Sequence, residues 1–204
     1  MRDEVKQMPE AQRKITAADL LPLAEYDQQR QSLKANLIPM KKLRRIEVGP
    51  FATFYFENYA TMWLQVQEML RIEKGGEEQI AGELDAYNPL IPQGRELVAT
   101  VMFEIDDPVR REQALARLGG VEDRFFLQVG SDRIAGAPEG DIERTRDDGK
   151  TAAVHFLHFR LTPEQIAVFR DPAVSILAGC DHEGYSHLAG LSPASRAELA
   201  RDFA

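Results

Sequence analysis

The most legible pattern of apolar and polar positions runs from Phe51 to Tyr87. In FATFYFEN, Phe51, Thr53, Tyr55 and Glu57 share one face of an extended strand, and Phe54 and Phe56 share the other. A strand apolar on both sides belongs inside a sheet. The next stretch, YATMWLQVQEMLRIEK, changes to helical spacing, with Tyr59, Met62, Trp63, Val66, Met69 and Leu70 in one stripe. Glu73 falls inside that stripe and Gln67 at its edge. Gly75-Gly76 breaks the helix, and Glu77 and Glu78 suit the positive end of the next one. That helix turns Ile80, Leu84 and Tyr87 inward and stops at Asn88-Pro89, because a residue before proline is pushed out of helical geometry.

The same reasoning extends along the chain. Residues 1–14 carry no periodic apolar face and read as a flexible N-terminal segment. Thr16 and Pro22 mark helix starts, with Leu33 and Leu37 on one side of the longer helix; Pro39 is expected to kink or end it. Arg45 to Val48, Gly49-Pro50 and the Phe51 strand form a hairpin. Glu96 to Ile105 is a strand of strong β character. A helix capped by Asp107 runs to Leu118, and strands follow at Arg124 to Val129 and Arg133 to Ala135. Gly136 to Lys150 is the longest polar interval and reads as a surface loop, with a lid as the alternative. Thr151 to Leu161 is a strand, and Thr162-Pro163-Glu164-Gln165 is a capping box opening a helix. A short strand spans Val174 to Ala178, Gly179 to His182 reads as a loop, and a last helix starts at Ser192-Pro193. Residues 15–204 are thus expected to form a single α+β domain, mostly antiparallel sheet with helices packed on it.

Composition narrows the function classes. The chain has 204 residues and a net charge of −8, which disfavours binding to nucleic acid. Lys41, Lys42, Arg44 and Arg45 form the one basic cluster and read as the solvated cationic end of a helix. No apolar run is long enough to span a membrane, and the opening residues lack a signal-peptide core, so the expected location is cytoplasmic. The single cysteine forms no internal disulfide.

Candidate chemistry is confined to a few side chains. His155 shares a strand face with Leu157 and Phe159 and is expected to be buried; His158 lies on the opposite face. Cys180 and His182 are two apart in an extended stretch, a poor geometry for a thiolate–imidazole pair. Glu57 and Glu73 occupy positions where a carboxylate must be paired, protonated or metal-bound. Two readings follow. One is a module that binds a small ligand or partner through a pocket lined by Glu57, Gln67, Asn88 and His155. The other is an enzyme using Glu57, Glu73, His155 and His182 as a mixed oxygen–nitrogen site suited to iron, manganese or zinc. A bland alternative pairs Glu73 with a nearby arginine. There is no HExxH, phosphate loop or dinucleotide fingerprint.

FENYATMWLQVQEMLRIE, ELDAYNPLIP, VHFLHF and GCDH together resemble an uncharacterised bacterial family catalogued as a domain of unknown function, over roughly Ile15 to Tyr185. The resemblance implies no activity and no catalytic residues. It does imply a setting, because such members are often encoded beside rubrerythrin-like proteins and iron–sulfur oxidoreductases. The expected partner is therefore a redox protein.

Overall fold

A computed structural model of the chain describes residues 13–140 and 149–204. Residues 1–12, most of the expected flexible segment, and 141–148, the middle of the polar interval, lie outside the described residues.

The chain forms an α+β fold with two antiparallel sheets. After a short 3-10 turn at Ala17–Asp19, α1 spans Leu23–Leu43, β1 Arg45–Val48 and β2 Ala52–Glu57. Then come α2 (Tyr59–Glu73), α3 (Glu77–Tyr87), β3 (Glu96–Phe103), α4 (Pro108–Leu115), β4 (Phe125–Val129), β5 (Asp132–Ala135) and β6 (Ala137–Pro138). The remaining elements are β7 (Val154–Arg160), α5 (Pro163–Arg170), β8 (Ile176–His182), β9 (Tyr185–Gly190) and α6 (Pro193–Leu199). The first sheet has the order β1-β2-β3-β7-β6 and the second β5-β4-β8-β9.

Register decides which side chains meet. Glu57 pairs with Val98, and Val98 with His158, so these three form one row across the first sheet. Phe54, Phe56, Leu97, Ala99, Val101, Leu157 and Phe159 point the other way. They join Phe125, Leu127, Ile176 and Ala178 of the second sheet in the main core. A second, smaller cluster holds α2 on the outer face of the first sheet: Tyr59, Met62, Trp63, Leu64 and Val66 against Val98, with Phe156 half-buried beside them.

Two local expectations are corrected. Pro39 does not end α1, which continues to Leu43. The carbonyl it leaves without a helical donor belongs to Ala35, an exposed residue, so water can satisfy it. Gly179 to His182 is strand rather than loop: all four residues pair with β9, and Gly179 and Cys180 also pair with β4. A Cβ at Gly179 would lie 2.5 Å from Leu188 and 2.7 Å from Phe126, so the glycine serves close packing and not a turn.

The two sheets are tied by one hydroxyl. Tyr185 Oη on β9 accepts from the amides of Phe51 (3.0 Å) and Ala52 (2.8 Å) and donates to the carbonyl of Val48 (2.6 Å). It thereby satisfies the backbone of the β1–β2 turn from the opposite sheet.

Candidate functional site

β2 carries Glu57 at its end on the outer face, immediately before the Asn58 cap of α2. The cap is reciprocal: Asn58 Oδ1 accepts from the Thr61 amide (3.0 Å), and Thr61 Oγ1 accepts from the Asn58 amide (2.9 Å). This fixes the Thr61 hydroxyl 2.6 Å from Glu57 Oε2, while the Thr100 hydroxyl of β3 lies 2.8 Å from Oε1. The Glu57 carboxyl is therefore met by hydroxyls rather than by a cation. Its burial raises the pKa above the ordinary carboxylate range; the two hydroxyls and the more distant charges of Lys41 and Arg44 oppose that shift without cancelling it. Arg44 passes close by but is committed elsewhere. Its guanidinium donates to the carbonyls of Phe56 and Glu57 and pairs with Asp202 and Glu198.

Around Glu57 the outer face of the first sheet is only half covered. Val98, Glu96 and His158 are buried, whereas Tyr55, Thr100, Met102, Val154 and Phe156 remain half-buried. The result is a half-buried strip of mixed apolar and polar side chains with a raised-pKa carboxyl at its edge. A perturbed carboxyl beside partly uncovered apolar side chains marks a candidate binding position.

The other candidates are placed as follows. Gln67 is buried on α2, and its amide donates to the Leu21 carbonyl. Asn88 clasps Ile15, with Oδ1 accepting from its amide (2.7 Å) and Nδ2 donating to its carbonyl (3.0 Å). Both thus anchor the segment ahead of α1, as do Trp63, whose indole donates to the Asp19 carbonyl, and Arg13, which bonds the carbonyls of Pro92 and Asp202. His155 lies in the main core against the rings of Phe103 and Phe125, with Nε2 2.9 Å from the Ala152 carbonyl. The structure does not gather Glu57 with Gln67, Asn88 and His155.

Nor does it gather the four metal candidates. Glu73 is exposed in the last turn of α2, whose buried residues end at Gln67, and its carboxylate accepts from Gln79. His182 sits at the end of β8 in the second sheet, donating from Nε2 to the Gly119 carbonyl (3.1 Å) and accepting the Gly184 amide at Nδ1 (3.1 Å). His155 is between the sheets and Glu57 outside them. Among the described residues, no group of three or more His, Cys, Asp or Glu side chains could hold a metal ion. Cys180 is buried, and that burial pushes its thiol up to about 11, away from nucleophilic character.

One cluster escaped the sequence reading. His158 Nδ1 lies 3.1 Å from Glu96 Oε2, and its Nε2 lies 2.5 Å from Glu139 Oε2. Arg160 stands 3.7 Å from the same Glu96 oxygen. Burial disfavours the imidazolium, but the two carboxylates outweigh it and raise the His158 pKa. Burial likewise opposes ionisation of Glu96, yet contact with His158 brings its pKa below the ordinary value. The available signal is a glutamate opening a β strand diagonally across from a histidine on the same face, with Arg160 directly opposite it, but that needs the β3–β7 register, which the sequence does not supply.

Comparisons with known proteins agree with one another. The family model described as "Protein of unknown function (DUF3501)" matches residues 14–203. A crystal structure of a novel protein of unknown function from Burkholderia pseudomallei K96243 is similar, with 38% sequence identity and a TM-score of 0.86, over 94% of this chain and 100% of that one. None of the curated proteins matches the chain.

Proposed function

We propose that this chain, which belongs to the family described as Protein of unknown function (DUF3501), is an accessory binding module that holds a small ligand or a partner's side chain against the half-covered strip beside Glu57. The observation that carries the reading is the Glu57 carboxyl itself: half-buried, raised in pKa, and met among the described residues by two threonine hydroxyls instead of a cation. Leaving a carboxyl in that state costs stability, and such costs concentrate at functional positions. Phe156 and Tyr55 supply flat apolar area beside it. The ligand class this favours has a hydrogen-bonding edge for the carboxyl and an apolar body for the strip. The setting we propose is redox or oxidative-stress metabolism, with a rubrerythrin-like or iron–sulfur oxidoreductase protein as partner, on the strength of the family resemblance alone.

The test is a thermal-shift screen of the wild type and Glu57→Gln with amines, amides, nitrogen heterocycles and redox cofactors. A ligand at about 100 times its Kd stabilises by about 2.7 kcal/mol, which corresponds to roughly 5–10 °C for a chain of this size. At least one compound should produce such a shift in the wild type and little in Glu57→Gln. Equal shifts in both proteins, or no shift from the whole panel, would overturn the reading.

A further inference from the structure

We propose that His158, held between Glu96 and Glu139, is a protonation-operated clamp that fastens the edge of the first sheet. Ionised carboxylates only accept, and a neutral imidazole has a single N–H to offer. His158 faces a carboxylate oxygen from each ring nitrogen, at 3.1 Å and 2.5 Å. Only the imidazolium presents a proton on both sides. With His158 neutral, one nitrogen lone pair would face a carboxylate oxygen, and that contact would turn repulsive. The Nε2 contact is the one to yield, because it is a charge contact without good hydrogen-bond alignment, whereas Nδ1 is bonded to Glu96.

Position gives the clamp its consequence. His158 is 7% exposed in β7 and pairs with Ala137 of β6, the two-residue edge strand. Glu139 follows β6 directly, and its amide donates to the Phe156 carbonyl at 2.8 Å. β5 belongs to the second sheet and β6 to the first, so the chain crosses between sheets at Gly136, where a Cβ would meet Phe159 at 2.9 Å. The clamp thus closes the end of that crossover. Among the described residues, the charged groups facing His158 are Glu96 from β3, Glu139 beyond β6 and Arg160 from its own strand; Glu57 lies farther along the row, beyond Val98. A raised folded-state pKa means the stabilisation is fully present below the unfolded histidine value of about 6.5 and is lost as pH rises through the folded value. The inference does not depend on the Glu57 reading.

NMR titration of the His158 ring, combined with amide exchange at Glu139 corrected for its intrinsic pH dependence, tests the clamp. The ring should titrate above about 6.5, and Glu139 protection should fall about tenfold as it deprotonates. In Glu139→Gln, a change on a partly exposed side chain, the ring pKa should drop and protection of the residue-139 amide should no longer follow the ring's titration. A wild-type ring titrating at or below the ordinary histidine value, or a pH-dependent protection that survives in Glu139→Gln, would overturn the proposal.

Discussion

Replacing Asn88 by alanine separates an anchoring role from a ligand-contacting one. The side chain exchanges two hydrogen bonds with the backbone of Ile15, a residue with no exposed surface, at 2.7 and 3.0 Å. Two such bonds are worth about 1 kcal/mol each, and leaving their buried partners unsatisfied adds about 1–3 kcal/mol. Some relaxation toward water is expected, so the estimate is a loss of about 3 kcal/mol, or roughly 6–12 °C in Tm. Trp63, the chain's single tryptophan, reports the event locally because its indole is bonded to the Asp19 carbonyl of the same segment. Asn88→Ala should red-shift the emission in the native baseline as well as lower the midpoint of thermal unfolding. Asn88→Asp, which keeps the acceptor and loses the donor, should fall between. A change within about 0.5 kcal/mol and unaltered emission would refute the anchoring assignment and return Asn88 to the ligand candidates.

Other expectations follow from the same geometry. Tyr185→Phe removes an oxygen that serves two amides and a carbonyl, and should cost about 2–3 kcal/mol by chemical denaturation. Cys180, buried and with its thiol pushed up to about 11, should react with a thiol reagent at neutral pH only at the rate of opening or unfolding, so denaturant should accelerate labelling by orders of magnitude. Arg44→Met strands Asp202 without its buried partner and should destabilise by about 3–5 kcal/mol, with much of the loss recovered in the double variant Arg44→Met/Asp202→Leu. Glu57→Gln should be more stable than the wild type at neutral pH. A raised folded-state pKa stabilises only below the unfolded value and is lost as pH rises, so the difference should shrink in acid.

The parts of the fold that were legible in the sequence are those whose period is unbroken. β2 alternates and α2 repeats at helical spacing, so Phe54, Phe56, Met62, Trp63 and Val66 were assigned to the interior, where they are found. The β8–β9 hairpin was hidden because Gly179 looks like punctuation. Its lack of a side chain is set by Leu188 and Phe126, which come together only after pairing. Glu73 sits at the right angle on α2 but in its exposed last turn, and periodicity does not encode where along a helix burial stops. The candidate site divides in the same way. Glu57 was visible as a carboxylate ending an interior strand. His158 and Glu96 were not visible as a pair, because they are 62 residues apart and a one-residue slip in register would turn them to opposite faces.

The account rests on the state of one carboxyl, and its direct measurement is the 13C titration of the Glu57 side chain by NMR in the intact protein. The account predicts a midpoint above the ordinary glutamate range, rising further in Thr61→Val, which removes one of the two hydroxyls that hold the shift down. A Glu57 that titrates at or below the ordinary value, like a solvated or ion-paired carboxylate, would contradict it.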